Sequence, residues 1–475
     1  MPSRLDLGPC PRLFLAKIAA SRNSLMTETL HALIDGLPTS SADHWRALAD
    51  AALRGEDFDS TLVRDTPDGI ERGPVFFETE RAGAAAAPRK EAFLPWHIRQ
   101  IFTESSPSEA NAAILADLMG GVSEIGLQID RQGAFGVTIG TPDDLARTLE
   151  DVDVSIASVF LESGHNFEPG LFADWMKKAG ANRAGLGVDA ADARLADLAK
   201  NHPGYCIASI DARVIHETGG TEAHELAFAA AGFAEAFGKL IEAGISAAQA
   251  AGQIEVVFAA DADIHLSLSK IRAGYLVLQN ILDAYDAASS APEMRAVTSG
   301  RMMTRKAPWT NMIRTSAAGF AAACSGVTSL TVLPATHALG RPDRLARRAA
   351  RNLHILLQEE AHSGLVDDPA GGSYLHEHLT AQLAEKAWKM FQSIEADGGY
   401  SAIGAGSEFV TQVETARQTL LSQYQIGERV LFGINRFAAP DLRDMKYEEG
   451  LTPPSSASLF PAIRLEDAAQ DGAKS

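Results

Sequence analysis

Short apolar runs alternate with longer segments whose apolar residues recur at three- and four-residue steps, and this alternation constrains the fold more than any other feature. The runs are Ser123 to Ile129, Val152 to Phe160, Ala184 to Val188, Tyr205 to Ile210, Ile254 to Ala259, Met294 to Ser299, Val327 to Leu333 and Val430 to Ile434. Strands separated by amphipathic helices predict a parallel sheet covered by crossover helices. Eight such strands fit a closed (β/α)8 barrel (a TIM barrel) better than an open doubly wound sheet. No G-x-G-x-x-G opens a helix; Gly185-Leu186-Gly187 and Gly404-Ala405-Gly406 are only fragments of that pattern. The 475 residues exceed one average domain, but a barrel with extensions absorbs most of them.

Charge and cysteine usage narrow the setting. Lysine and arginine number 42 against 61 acidic residues, a formal charge of −19, and no basic block stands out. Nucleic acid is therefore not an expected partner. No apolar run approaches the ~18 residues of a membrane span, so a soluble, cytoplasmic chain is expected. Cys10, Cys206 and Cys324 are scattered and odd in number, giving neither a disulfide framework nor a zinc pattern. His216-Glu217 is not a zinc-protease motif, because Gly220 stands where its second histidine would fall. No metal site is expected.

Four regions follow from composition. Residues 1–25 carry Arg4, Arg12, Lys17 and Arg22 against one acid, Asp6, and read either as a leader or as a mis-called start before Met26. Residues 26–92 form an N-terminal helical and extended arm, with Ser41 capping a helix that holds Trp45, Leu48 and Ala52. Gly83 to Pro88 is a joint, residues 93–437 are the barrel, and residues 438–475 are a Pro/Ser-rich, then acidic, tail with no room for another domain. Within the barrel, a long helix from Pro342 to Ala361 is predicted to bury Leu345, Ala349, Leu353 and Leu356. Its arginines Arg341, Arg344, Arg348 and Arg351 make another face, either solvated and salt-bridged or in contact with an anionic ligand or partner subunit.

Six motifs then occur in order: Thr298-Ser299-Gly300, Pro308-Trp309-Thr310-Asn311-Met312-Ile313-Arg314-Thr315, Arg348-Ala349-Ala350-Arg351-Asn352, Gln358-Glu359-Glu360, Asp368-Pro369-Ala370-Gly371-Gly372-Ser373-Tyr374 and Glu395-Ala396-Asp397-Gly398-Gly399. Their order resembles the methylmalonyl-CoA mutase family, over roughly Asp43 to Phe437. The resemblance implies rearrangement of acyl-CoA skeletons with adenosylcobalamin, and an arm that packs on a partner subunit. It also implies a barrel lined by small residues so that the CoA chain can pass along its axis. Ser155, Ser158, Ser209, Asp211, Thr298 and Ser299 are small, polar strand-end residues of the expected kind.

The positions that carry chemistry in catalytic relatives depart from the pattern. Before the retained Pro95, Trp96, Arg99 and Gln100, Glu91 replaces a tyrosine and Leu94 an arginine. Ahead of the retained Glu217, Gly219 and Thr221, Arg213 and Val214 replace a Tyr-His pair. Valine cannot donate a hydrogen bond to a thioester carbonyl as that histidine would, and His216 does not take its place if the segment has left strand geometry. Arg295 and Val297 replace a histidine and a glutamine, and Thr331-Val332-Leu333 replaces His-Thr-Asn. Asp263-Ile264-His265 imitates half of the family's cobalt-ligating motif, but Leu268 replaces its glycine.

No catalytic residue is therefore expected. The resemblance implies the small (β-type) subunit of a heterodimeric mutase, a structural partner with no C-terminal cobalamin-binding domain, while the large subunit binds the adenosylcobalamin. The alternative is the substrate barrel of a split mutase served by a separate cobalamin protein. Arg99, Arg272, Asn311 and Arg314 are candidates for a vestigial CoA-phosphate site, or they satisfy buried backbone groups. His337, His354, His362, His376 and His378 lack ligand spacing, and surface or capping roles are expected for them.

Overall fold

A computed structural model of the chain describes residues 41–77, 95–130, 136–287, 290–438, 445–448 and 459–472. Eight parallel strands close into one barrel. They are β1 (His97–Phe102), β2 (Glu124–Leu127), β3 (Ser158–Leu161), β4 (Ala184–Val188), β5 (Cys206–Asp211), β6 (Ile254–Ala260), β7 (Glu293–Thr298) and β8 (Ser329–Thr331). Each pairs with its sequence neighbour, and β8 closes on β1 through Ser329 opposite His97 and Leu330 opposite Ile98. β6 is buried at every position, as a strand covered on both faces must be.

The principal helices of the barrel unit are α1 (Pro107–Leu118), α2 (Pro142–Thr148), α3 (Pro169–Lys178), α4 (Leu195–Asn201), α5 (Glu222–Glu242), α6 (Ile264–Ala284), α7 (Pro308–Ala323), α8 (Arg344–Ile355), α9 (Tyr374–Ala396), α10 (Glu408–Gln425) and α11 (Leu465–Gly472). Proline opens α1, α2, α3 and α7, where its missing N–H leaves no helical bond unmade. The apolar α5 fits tightly against β5 because residue 232 is glycine. A Cβ there would stand 2.6 Å from Ile210 Cγ2 and 3.1 Å from Tyr400 Cε2. Outside the barrel, α9 packs on α5 and α6.

Residues 41–64 belong to a compact unit separate from the barrel. Its described part holds the expected helix, Ala42–Leu53, with the Ser41 side chain accepting from His44 N–H at 3.1 Å. Trp45 meets Phe58 edge-on with ring centroids 5.9 Å apart, and the Arg46 guanidinium lies 3.5 Å from the centre of that ring.

Three sequence expectations need correction. β1 was not among the predicted strands, because Arg99 and Gln100 interrupt its apolar pattern; Val430 to Ile434 is not a strand and makes only an isolated bridge, Phe432 with Arg436. α8 starts after an Asp343 cap, while Arg341–Pro342 pair antiparallel with Tyr447–Glu448. Its buried residues are Ala346, Ala350 and His354, followed by Leu357 in the π-turn Leu356–Glu360. The stripe is thus one residue out of step with the expected one, and Leu345 and Leu356 are 54% and 47% exposed.

His354 is not a surface histidine: it is buried and accepts from the Trp96 indole N–H at 3.2 Å. Burial lowers its pKa from 6.5 to about 3; burial likewise lowers His224 to about 4. His216, buried beside Arg301 and Lys270, falls to about 3. All three fold neutral and protonate more readily once unfolded. Their contribution to stability is whole above pH 6.5 and is lost as the pH falls towards 3 to 4. Urea titrations between pH 7.5 and 4.5 are expected to show stability falling by up to about 1.4 kcal/mol per pH unit for each such histidine. His354→Gln, which can still accept from Trp96, is expected to remove one histidine's share of that slope. An unchanged slope would contradict this account.

Candidate functional site

Enzymes on this fold act at the C-terminal ends of the strands, with the barrel core beneath. Here that core is crossed by ion pairs. Arg99 on β1 donates through Nε to Glu124 on β2 at 2.8 Å. Its Nη1 and Nη2 donate to the two carboxylate oxygens of Glu255 on β6, at 3.0 and 2.7 Å. β1 and β6 are not neighbours, so this bidentate pair spans the barrel interior. A second crossing joins Arg295 on β7 to Glu162, just beyond β3, at 2.9 Å, and Arg295 also donates to Thr331 on β8.

Arg183, immediately before β4, reaches Glu124 at 2.6 Å and Glu293 on β7 at 3.4 Å. Phe160 packs against this network, its ring centre 3.6 Å from the Arg99 guanidinium carbon. Gly185 makes room for that ring, since a Cβ there would lie 2.1 Å from Phe160 Cδ1. At this level arginine and glutamate side chains and Phe160 stand beside the small Ser329, whose hydroxyl donates to Glu124 at 2.7 Å.

Burial alone would raise the Glu124 carboxyl, yet Arg99 and Arg183 hold it at about 2. Burial likewise works against the Arg99 charge, and Glu124 and Glu255 outweigh it and raise the guanidinium pKa. For Arg295 the balance goes the other way: burial lowers its pKa despite Glu162.

At the rim, the residues after β5 turn into a short helix, Arg213–Thr218. Val214 lies half-buried against the core. His216 is turned inward and fully buried, with Nε2 3.1 Å from both Asp261 Oδ2 and Ser299 Oγ. Arg301 donates to Asp261 at 3.2 Å and to the His216 carbonyl at 2.7 Å. Glu217 accepts from the Gly300 and Arg301 N–H groups at 2.9 and 2.7 Å. Burial would raise the Asp261 carboxyl, but the His216 hydrogen bond and the Arg301 charge hold it far below the ordinary carboxylate range.

Residues 461–466 run over this cluster. Ile463 N–H donates to the Glu217 carbonyl and Leu465 N–H to the Arg301 carbonyl, at 2.8 and 3.1 Å. The buried Glu466 carboxylate accepts from the Arg305 and Lys306 N–H groups at 2.8 and 3.0 Å.

The four residues considered for a CoA-phosphate site occupy three places. Arg99 lies in the barrel core. Arg272 on α6 is fully buried and bound to Asp368, Glu377 and Thr380. Asn311 and Arg314 meet on α7: Asn311 Oδ1 accepts from Arg314 Nη1 at 2.7 Å, and Asn311 Nδ2 donates to the Thr304 and Ala335 carbonyls at 2.8 Å each. Val297 is buried on β7; Glu91 and Leu94 lie outside the described residues. His265 stands in the first turn of α6, its Nδ1 3.1 Å from Nε2 of His376. Among the described residues no three His, Cys, Asp or Glu are grouped to hold a metal, and no helix is long and apolar enough to cross a membrane.

A family profile described as methylmalonyl-CoA mutase matches residues 189–452. The chain is 30% identical to the methylmalonyl-CoA mutase small subunit of Streptomyces virginiae, over 91% of this chain and 76% of that one. It is 31% identical to the methylmalonyl-CoA mutase small subunit of Propionibacterium freudenreichii subsp. shermanii, over 82% and 67%. A probable methylmalonyl-CoA mutase small subunit of Mycobacterium bovis is 32% identical over 66% of this chain and 54% of its own length. The chain thus spans between about half and three-quarters of these relatives.

Arg99→Met would leave the buried Glu255 with only the Arg295 guanidinium, 4.0 Å away, and would strip Glu124 of one of its two arginines, at an expected cost of about 3–5 kcal/mol in urea unfolding. The double substitution Arg99→Met/Glu255→Leu is expected to recover most of that loss, because Glu124 keeps Arg183. A single variant within about 1 kcal/mol of the parent would show that the crossing pair carries little.

Proposed function

Because the chain belongs to the methylmalonyl-CoA mutase family, we propose that it is the small, non-catalytic subunit of an adenosylcobalamin-dependent mutase. The large subunit would then interconvert methylmalonyl-CoA and succinyl-CoA. The observation that carries this reading is the Arg99–Glu255 pair, which lies across the axis that a CoA chain would have to follow. A side chain at residue 214 that cannot donate, and the replacement of a histidine and a glutamine by Arg295 and Val297, support it from the side of the chemistry.

The residues present do not fit adenosylcobalamin on this barrel. His216 is sealed in the rim cluster, and His265 is engaged with His376. In the complex, the cofactor would supply radical generation from the partner subunit; no step is assigned to this chain. Arg99 and Arg272 hold carboxylates, those of Glu255 and Glu377 buried, and Asn311 with Arg314 satisfies backbone carbonyls. Those contacts favour structural roles over phosphate binding. The motif Asp368 to Tyr374 is accounted for in the same way: Arg272 binds Asp368, and Gly372 N–H donates to Glu377 at 2.7 Å.

The test is a mutase assay with purified chain, adenosylcobalamin and methylmalonyl-CoA, with and without the large subunit, following co-elution on gel filtration. No turnover by the chain alone, and turnover by a one-to-one complex, is expected. Turnover restored by a separate cobalamin-binding protein would overturn the reading in favour of a split enzyme.

A further inference from the structure

We propose that a second copy of this chain packs antiparallel across the outer face of α8 and its π-turn. The inference rests on that helix alone and does not use the reading in the preceding subsection.

α8 and its π-turn bury small residues together with Leu357, and leave two leucines outward. Ala346 and Ala350 are buried, while Leu345 and Leu356 are 54% and 47% exposed. The outer face is also polar in a directional way: Arg344 and Arg348 lie near its N-terminal end, and Glu359 and Glu360 at its C-terminal end. All four are exposed, and none is ion-paired among the described residues. Arg347 and Arg351, by contrast, turn inward to Glu104 and Asp117. Cations at a helix N-terminus and anions at its C-terminus oppose the helix dipole. This row of charges therefore does nothing for the isolated helix.

A copy of the same helix running the other way complements it. With a two-fold axis beside Asn352, Arg344 of one chain faces Glu360 of the other, roughly 24 Å along the helix from its own Arg344. Arg348 faces Leu356, one turn from Glu360, and Leu345 faces Glu359. Every contact is made twice, as a two-fold interface requires. A parallel packing would set arginine against arginine. On the neighbouring α7, Ile313 and Phe320 are 70% and 40% exposed. Apolar surface flanked by charged residues is the usual anatomy of a protein interface.

Sedimentation equilibrium of the purified full chain tests this, with Arg344→Glu/Arg348→Glu making an all-acidic row and Glu359→Arg/Glu360→Arg an all-basic one. The parent is expected to dimerise and to weaken with salt. Each variant alone is expected to dissociate at least about tenfold more readily. The two variants mixed one to one are expected to pair again, because acidic row then meets basic row at both ends. All substituted side chains are exposed, and circular dichroism confirms the fold of each variant. A monomeric parent overturns the proposal, as does a parent dimer that both variants leave intact. Variants that fail to pair when mixed overturn it as well. Loss of large-subunit binding by these variants, with no parent dimer, would assign the face to that partner instead.

Discussion

A guanidinium at the centre of a closed barrel has no water to turn to, and the rest of this interior is arranged around that constraint. Arg99 is fully buried, so its charge persists only because Glu124 and Glu255 present three oxygens to it. Those carboxylates need further cations, which Arg183 supplies from the foot of β4. The flat face of the guanidinium rests on Phe160, and Phe160 in turn needs glycine at 185. One charged residue on one strand thus dictates residues on four others. A fold whose centre can hold a ligand has here been filled with its own charges.

The rim is closed by the same means at smaller scale. The helix Arg213–Thr218 carries His216 away from the mouth, and Asp261, Ser299 and Arg301 fix it from three sides. Residues that resemble a reactive triad by composition are here a buried polar plug. Geometry, not residue type, separates the two: the imidazole shares one nitrogen between Asp261 and Ser299 and reaches no solvent.

The barrel itself was legible because strands buried on both faces leave continuous apolar runs. β1 was not, since its central residues serve the interior rather than the helix layer. α8 is rotated by one residue from its leucine periodicity, and α7 comes close to it at Gly319, where a Cβ would lie 3.1 Å from Leu353. Val214, Arg295 and Val297 were visible as departures from chemistry. What Arg295 and Arg99 do instead was not visible. The partners of Arg99 and Arg295 lie as far as 156 and 133 residues away, and no local pattern records such a pairing. Terminal residues 465–472 read as an acidic tail, but the buried Glu466 and Leu465 make part of them core.

That last segment bears on how the protein is made. Thr218 donates to the carbonyl of Pro461, 243 residues further on, and Glu466 satisfies two N–H groups in the loop after β7. A chain still emerging from the ribosome has therefore built β5 and β7 long before the groups that finish their upper ends exist. Contacts this distant in sequence form late and slowly. Until they do, Glu217, Arg301 and Arg305 stand open at the barrel mouth, and the unfinished molecule is the form that chaperones and proteases would encounter.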